Sequence, residues 1–142
     1  MRKRTLAREY ALQILYQHEM NPEDLGKALE TFWKGQEKSS KEVRDFAEAI
    51  VKGTLEHRPE IDRIISKYAD NWELHRMAAV DRNIMRLASY EILYRDDIPP
   101  KVTINEAVNM AKKFSQIDSG KFVNGILDKI NHSEKTQQAS SS

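Results

Sequence analysis

Apolar residues return at intervals of three and four along this chain, and no stretch of alternating β-branched residues competes with them. That spacing gathers side chains on one face of a helix, whereas a half-buried strand needs a period of two. Leu6, Tyr10, Ala11, Ile14 and Leu15 predict a first helix over about residues 5–18. Asn21 then reads as an N-cap with Pro22 at the first helical position, ahead of Leu25, Leu29, Phe32 and Trp33, and Gly35 stops that helix. Ser39 with Glu42 reads as a capping box for a third helix, whose inward residues are Val43, Phe46, Ala47, Ile50 and Thr54. Pro59 ends it and begins a fourth, facing inward with Ile61, Ile64, Ile65 and Tyr68.

The pattern breaks around Trp72-Glu73-Leu74, and a short helical turn leads into a long helix over about residues 80–94, with Ile84, Leu87, Ala88 and Ile92 inward. Asp96-Asp97-Ile98-Pro99-Pro100 is a turn, because a residue before proline is pushed out of the α region. Thr103 with Glu106 forms a second capping box, opening a helix that buries Ile104, Ala107, Val108, Ala111 and Phe114. Asp118 or Ser119 caps the last helix, which ends near Asn131. The expectation is an all-α domain of about seven helices over residues 1–131, the longest central helix shared between two smaller bundles. Residues 132–142 lack an apolar anchor and are expected to form a mobile tail. Gly53 and Gly125 fall inside helices, where close helix approach is the expected reason for them.

Charge and composition exclude more than they assign. The 142 residues contain no cysteine, which removes disulfides and thiolate metal sites, and suit one core. The basic start is followed by Glu9, Gln13 and Gln17 rather than an apolar run, so neither a signal peptide nor a membrane span is expected and the cytoplasm is the default. His18, His57, His75 and His132 lack the spacing of a helical metal pair, and no metal or cofactor is expected. Gly120-Lys121 lacks the upstream glycine and following hydroxyl of a phosphate loop, and Asp96-Asp97 reads as a solvated turn rather than a catalytic pair. No catalytic residue is expected.

Binding chemistry is concentrated in two places. Net charge is only +1, yet Arg2, Lys3, Arg4 and Arg8 crowd the first eight residues without an acid among them. Arg4 and Arg8, four apart, share a helix face that suits successive phosphates or, equally, plain solvent. Lys121 and Phe122 stand in the first turn of the last helix, where unpaired N–H groups favour an anion and a ring can stack on an unpaired base. Packing of Phe122 between helices is the alternative, and periodicity slightly favours it, since Phe122 edges the stripe of Val123, Ile126, Leu127 and Ile130.

Three segments in order carry a family resemblance: Ala7-Arg8-Glu9 through Leu15-Tyr16; Val80-Asp81-Arg82-Asn83-Ile84-Met85-Arg86-Leu87-Ala88-Ser89-Tyr90-Glu91-Ile92-Leu93; and Ile104-Asn105-Glu106-Ala107 through Gly120-Lys121-Phe122-Val123-Asn124-Gly125-Ile126-Leu127-Asp128. Together they resemble the NusB family of bacterial transcription antitermination factors over residues 2–131. The resemblance implies two three-helix bundles set across each other and a noncatalytic RNA-binding protein. It implies a heterodimer with NusE, binding of boxA RNA by the pair, and assembly with RNA polymerase, NusA and NusG to suppress premature termination, notably on ribosomal RNA operons. By position it implies phosphate contacts for Arg2, Lys3, Arg4 and Arg8, an RNA-facing surface for Tyr16, Lys121 and Phe122, an RNA edge near Asp118, and a NusE contact for Asp81. Thr5-Leu6 interrupts the basic run, a departure from the enterobacterial pattern. Two other classes stay open: an RNA-recognition module like that fused to RNA cytosine methyltransferases, and a helical interaction module or homodimer without an RNA role.

Overall fold

The computed structural model describes residues 2–36, 39–69, 74–116 and 118–135, and these hold seven α-helices and no strand. They are α1 (Lys3–Met20), α2 (Leu25–Lys34), α3 (Lys41–Glu56), α4 (Arg58–Tyr68), α5 (Ala79–Tyr94), α6 (Pro100–Phe114) and α7 (Ser119–Ile130). A 3-10 turn, Leu74–Arg76, precedes α5, and a π-helical turn, Asn131–Lys135, extends α7. The break expected at Trp72-Glu73 and the tail beyond Lys135 lie outside the described residues.

Helix starts follow local chemistry, with shifts that tertiary contacts explain. Asp24, not Asn21, caps α2, its Oδ2 accepting from the Lys27 N–H at 3.2 Å. Ser40, one residue beyond the expected Ser39, caps α3 by accepting from the Val43 N–H at 3.2 Å. The Thr103/Glu106 box does not form, because α6 already begins at Pro100. Both side chains serve elsewhere: the Thr103 hydroxyl donates to Glu91 Oε1 at 2.9 Å, and Glu106 Oε1 accepts from the Thr5 hydroxyl at 2.8 Å. Asp118 stands at the N-cap of α7, yet its side chain makes no capping hydrogen bond.

α1, α2 and α3 form one bundle, and α5, α6 and α7 form a second, with α4 packed on α5 and α7. α5 also lies against α1 and α3, which makes it the shared helix and explains why its residues are buried almost all round. Ile14, Ile50, Ile61, Ile84, Leu87, Ile92 and Leu127 are fully buried in one continuous core. Tyr10, Phe32 and Trp33 meet edge to face at 5.0–5.7 Å and fasten α2 to α1. Gly53 admits the neighbouring helix, since a Cβ there would lie 2.1 Å from the Tyr90 ring. Gly125 does not, because nothing lies within 4 Å of a Cβ at that position.

Charge pairs bridge α1, α5 and α4. Glu19 on α1 accepts from both Arg82 and Arg86 of α5, and Arg86 reaches on to Asp62 of α4 with its Nε 2.7 Å from Oδ1. Burial pushes the Glu19 carboxyl up, but the two guanidinium groups outweigh it and hold the group below its ordinary value. The turn after α7 is tied down as well: Glu134 Oε1 accepts from the Tyr68 hydroxyl at 2.8 Å and from Lys67 at 3.1 Å. Residues 132–135 are therefore anchored to α4, contrary to the expected tail.

Candidate nucleic-acid interface

The basic N-terminus packs around one ring. Arg4 and Arg8 of α1 and Arg95, just past the end of α5, place their guanidinium carbons 4.5, 5.4 and 5.5 Å from the centroid of Phe46 on α3. Lys3, Arg4, Lys41, Phe46 and Arg95, together with the carboxylates Glu42 and Asp45, line an open groove of about 620 Å³ there. Arg2, Lys3 and Arg4 are exposed, Lys3 holding the equally exposed Glu42 at 2.9 Å. Arg95 donates to both oxygens of Asp97 at 2.9 Å and, beside it, holds that carboxyl down to about 2.

Arg8 does not join this surface. Only 2% exposed, it donates from Nε and Nη2 to the two oxygens of Glu91 at 2.9 and 2.8 Å, with Glu106 3.9 Å from its Nη1. Its fork is occupied by a carboxylate that is itself 1% exposed, so it has no donors directed to a phosphate in solution. The expectation that Arg8 meets phosphates is corrected: four residues from Arg4 along α1, it lies under α5 rather than beside water.

A second locus sits at the other end of α5. Met77, Asp81, Ser115, Asp118, Ser119 and Phe122 surround a pocket of about 290 Å³. Asp81 is buried, and its Oδ2 accepts from the Ser119 hydroxyl at 3.2 Å. Its Oδ1 is also buried and has no hydrogen-bond partner among the described residues. Asp118 and Lys121 are exposed, whereas Phe122 is half-buried, packed on the core and forming one wall of the pocket. The ring thus stands between the two roles considered for it, and it is not beside Arg4. Asp81 and Arg95 are 14 residues apart on the line of α5, which separates the two loci by about 21 Å.

Tyr16 belongs to a third surface, adjoining the second. It is 39% exposed and lines an apolar groove of about 210 Å³ with Leu12, Gln13, Val80 and Phe114. Val80 and Phe114 are next to Asp81 and Ser115 in the chain, which sets this groove near the Asp81 pocket. Phe114, expected inside, is 38% exposed because α6 ends there. Sequence reasoning missed Phe46, Arg95, Val80 and Phe114 as surface determinants. Only Phe114 carried a usable signal, an aromatic in the last turn of its helix.

Among the described residues, no group of three or more His, Asp or Glu side chains is placed to hold a metal ion, and no helix is long and apolar enough to cross a membrane.

Known proteins are similar to this chain in both sequence and fold. The profile of the NusB family matches residues 5–132. The transcription antitermination protein NusB of Thermodesulfovibrio yellowstonii is 49% identical over 137 residues, covering 90% of this chain and 91% of its own. That of Anaeromyxobacter dehalogenans is 50% identical over 128 residues, covering 90% and 89%. Among solved structures, NusB of T. maritima superimposes with a TM-score of 0.83 at 39% identity, covering 96% of this chain and 98% of that one. A chain in the crystal structure of antitermination factors NusB and NusE in complex with dsRNA superimposes with a TM-score of 0.84 at 30% identity, covering 93% and 98%. With sequence and fold agreeing over almost its whole length, the chain belongs to the NusB family.

Proposed function

We propose that the protein is a noncatalytic, cytoplasmic transcription antitermination factor that binds boxA RNA together with NusE. On this reading the pair joins RNA polymerase, with NusA and NusG, and suppresses premature termination, notably on ribosomal RNA operons. The observation that carries it is the near-complete overlay on a chain from a NusB–NusE–dsRNA complex, supported by two separated surfaces of suitable chemistry. Arg2, Lys3 and Arg4 form the phosphate-binding end. Lys121 and Asp118 form the far edge of the RNA face, with Phe122 available to a base at the pocket rim.

NusE takes the remaining surface. Asp81 keeps one buried oxygen without a donor, and a buried carboxylate oxygen gains most from a partner's cation or N–H. The apolar groove beside it, with Tyr16, Val80 and Phe114 in its wall, supplies hydrophobic contact. This moves Tyr16 from the RNA face to the partner face. A second copy of the chain could cover the same groove in the absence of NusE, and sedimentation of the protein alone and with NusE distinguishes the two.

Titration of labelled boxA RNA with the protein, with NusE and with the mixture tests the function. Tighter binding by the mixture than by either protein alone is expected; equal weak binding in all three cases refutes it.

A further inference from the structure

The two RNA-binding ends lie about 21 Å apart, and α6 spans the distance between them. α6 starts five residues after Arg95, and midway along it meets the beginning of α1 through the Thr5–Glu106 hydrogen bond. At its finish it adjoins the Asp81 pocket through Ser115. Lys101, Asn105, Asn109 and Lys112 are all exposed and recur at spacings of four, four and three, which makes them one stripe along the outside of the helix.

No carboxylate interrupts that stripe. The only acid of α6 is Glu106, whose side chain is 16% exposed and turned toward Thr5 and Arg8. Other helices pair their surface cations within the same helix, as in Lys34–Glu30, Lys41–Asp45, Lys52–Glu48 and Arg63–Glu60. Lys113, at the flank of the stripe, holds Glu9. Lys101 and Lys112 have no carboxylate within salt-bridge distance among the described residues. Gly120 contributes a second feature, because a Cβ there would stand 3.3 Å from Cε and 3.4 Å from Cγ of Lys112. The missing side chain lets the lysine stem lie across the first turn of α7, next in sequence to Lys121, where helix N–H groups also attract anions.

We infer that the outer face of α6 carries the phosphate backbone of single-stranded RNA between the two ends, Lys101 and Lys112 each holding a phosphate and Asn105 and Asn109 hydrogen-bonding phosphate or ribose oxygens. The inference rests on the RNA-binding reading above and adds a site to it. Single-strand binding weakens with salt at about 0.7 in log–log slope per phosphate neutralised. The variant K101Q/K112Q, saturated with NusE, therefore loses about 1.4 from its salt slope on boxA RNA. Its melting temperature and its affinity for NusE without RNA stay at wild-type values. A second variant, N105D/N109D, places carboxylates on the stripe and weakens RNA binding further. An unchanged slope in K101Q/K112Q, with wild type binding normally, overturns the α6 path and leaves the RNA function standing. Failure of the wild-type complex to bind boxA RNA overturns both.

Discussion

Arg8→Ala separates a structural charge from a ligand-binding one. The substitution removes two hydrogen bonds of 2.9 and 2.8 Å from Glu91 and leaves that carboxylate, 1% exposed, with the Thr103 hydroxyl as its closest donor. Breaking a buried pair by deleting one partner costs about 3–5 kcal/mol, because the remaining charge keeps its desolvation penalty without its compensation. That is a fifth or more of the roughly 5–15 kcal/mol that holds a typical domain folded. For a chain of this size, between the ranges usually considered, the melting temperature should fall by about 10–20 °C. Scanning calorimetry or chemical denaturation of wild type, Arg8→Ala, Glu91→Leu and the double variant Arg8→Met/Glu91→Leu measures it. The double variant should recover most of the loss, since an apolar replacement of a buried pair is often neutral, with about 1 kcal/mol outstanding for the unpaired Thr103 hydroxyl. A loss below about 1 kcal/mol in Arg8→Ala would mean that the pair behaves like an exposed one. RNA binding gives the complementary readout: the salt slope should be unchanged in Arg8→Ala. A slope lowered by about 0.7 with stability intact would show that the guanidinium leaves Glu91 to take a phosphate, and the burial argument would fail.

Five other substitutions follow from the same structure. Gly53→Ala forces a Cβ into the Tyr90 ring and should destabilise by at least about 1–3 kcal/mol, while Gly125→Ala, in open space within α7, should stabilise by about 0.5–1 kcal/mol; denaturant midpoints decide both. Glu19 and Glu134 titrate below their ordinary value when folded, so the stability they contribute is complete above the unfolded value of 4.5 and is lost as pH falls through the lower folded values. Melting temperatures measured from pH 6 to pH 3 should drop less in Glu19→Gln and Glu134→Gln than in wild type. Asp81→Asn, which keeps the shape but removes the charge, should weaken NusE association roughly tenfold or more without altering RNA salt slope, as read by calorimetric titration.

What the sequence revealed of this fold, and what it hid, divides along the line between local and tertiary chemistry. Spacing located the seven helices because each has an apolar stripe, and α2, α3, α4, α6 and α7 also have a proline, glycine or hydroxyl near a border. It misplaced the start of α6 because Thr103 and Glu106 form a capping pattern in sequence but answer to Glu91 and Thr5 in space. It misjudged Arg8 for a related reason. α1 shows one apolar stripe in sequence, yet it packs against α2, α3 and α5 and exchanges hydrogen bonds with α6, burying Arg8 and Glu9 along with its apolar residues. A lone arginine among buried alanines and leucines, and a lone glutamate at position 91 within an apolar helix, were the available hints. Residues 132–135 differ from the expected tail because their anchor is polar: Glu134 is held by Tyr68 and Lys67, and no apolar pattern records such a bond.

Net charge deserves a different weight in such a protein. A total of +1 argues against a nucleic-acid surface only if acids and bases are spread alike over inside and outside. Here they are not. On the side formed by α1, α5 and α6, the carboxylates Glu9, Glu91 and Glu106 are turned inward, where they are engaged by Lys113, Arg8 and Thr5. The cations left outside on α6, Lys101 and Lys112, then act on solvent without an exposed acid of their own helix to screen them, whereas Arg4 stands near Asp97. Burying an acid together with one partner removes no net charge from the molecule, but it removes the acid from the surface field felt within a Debye length of about 8–10 Å. The inward pairs therefore do two things at once: they fix the helices against one another, and they leave one exposed side basic in a chain that is nearly neutral.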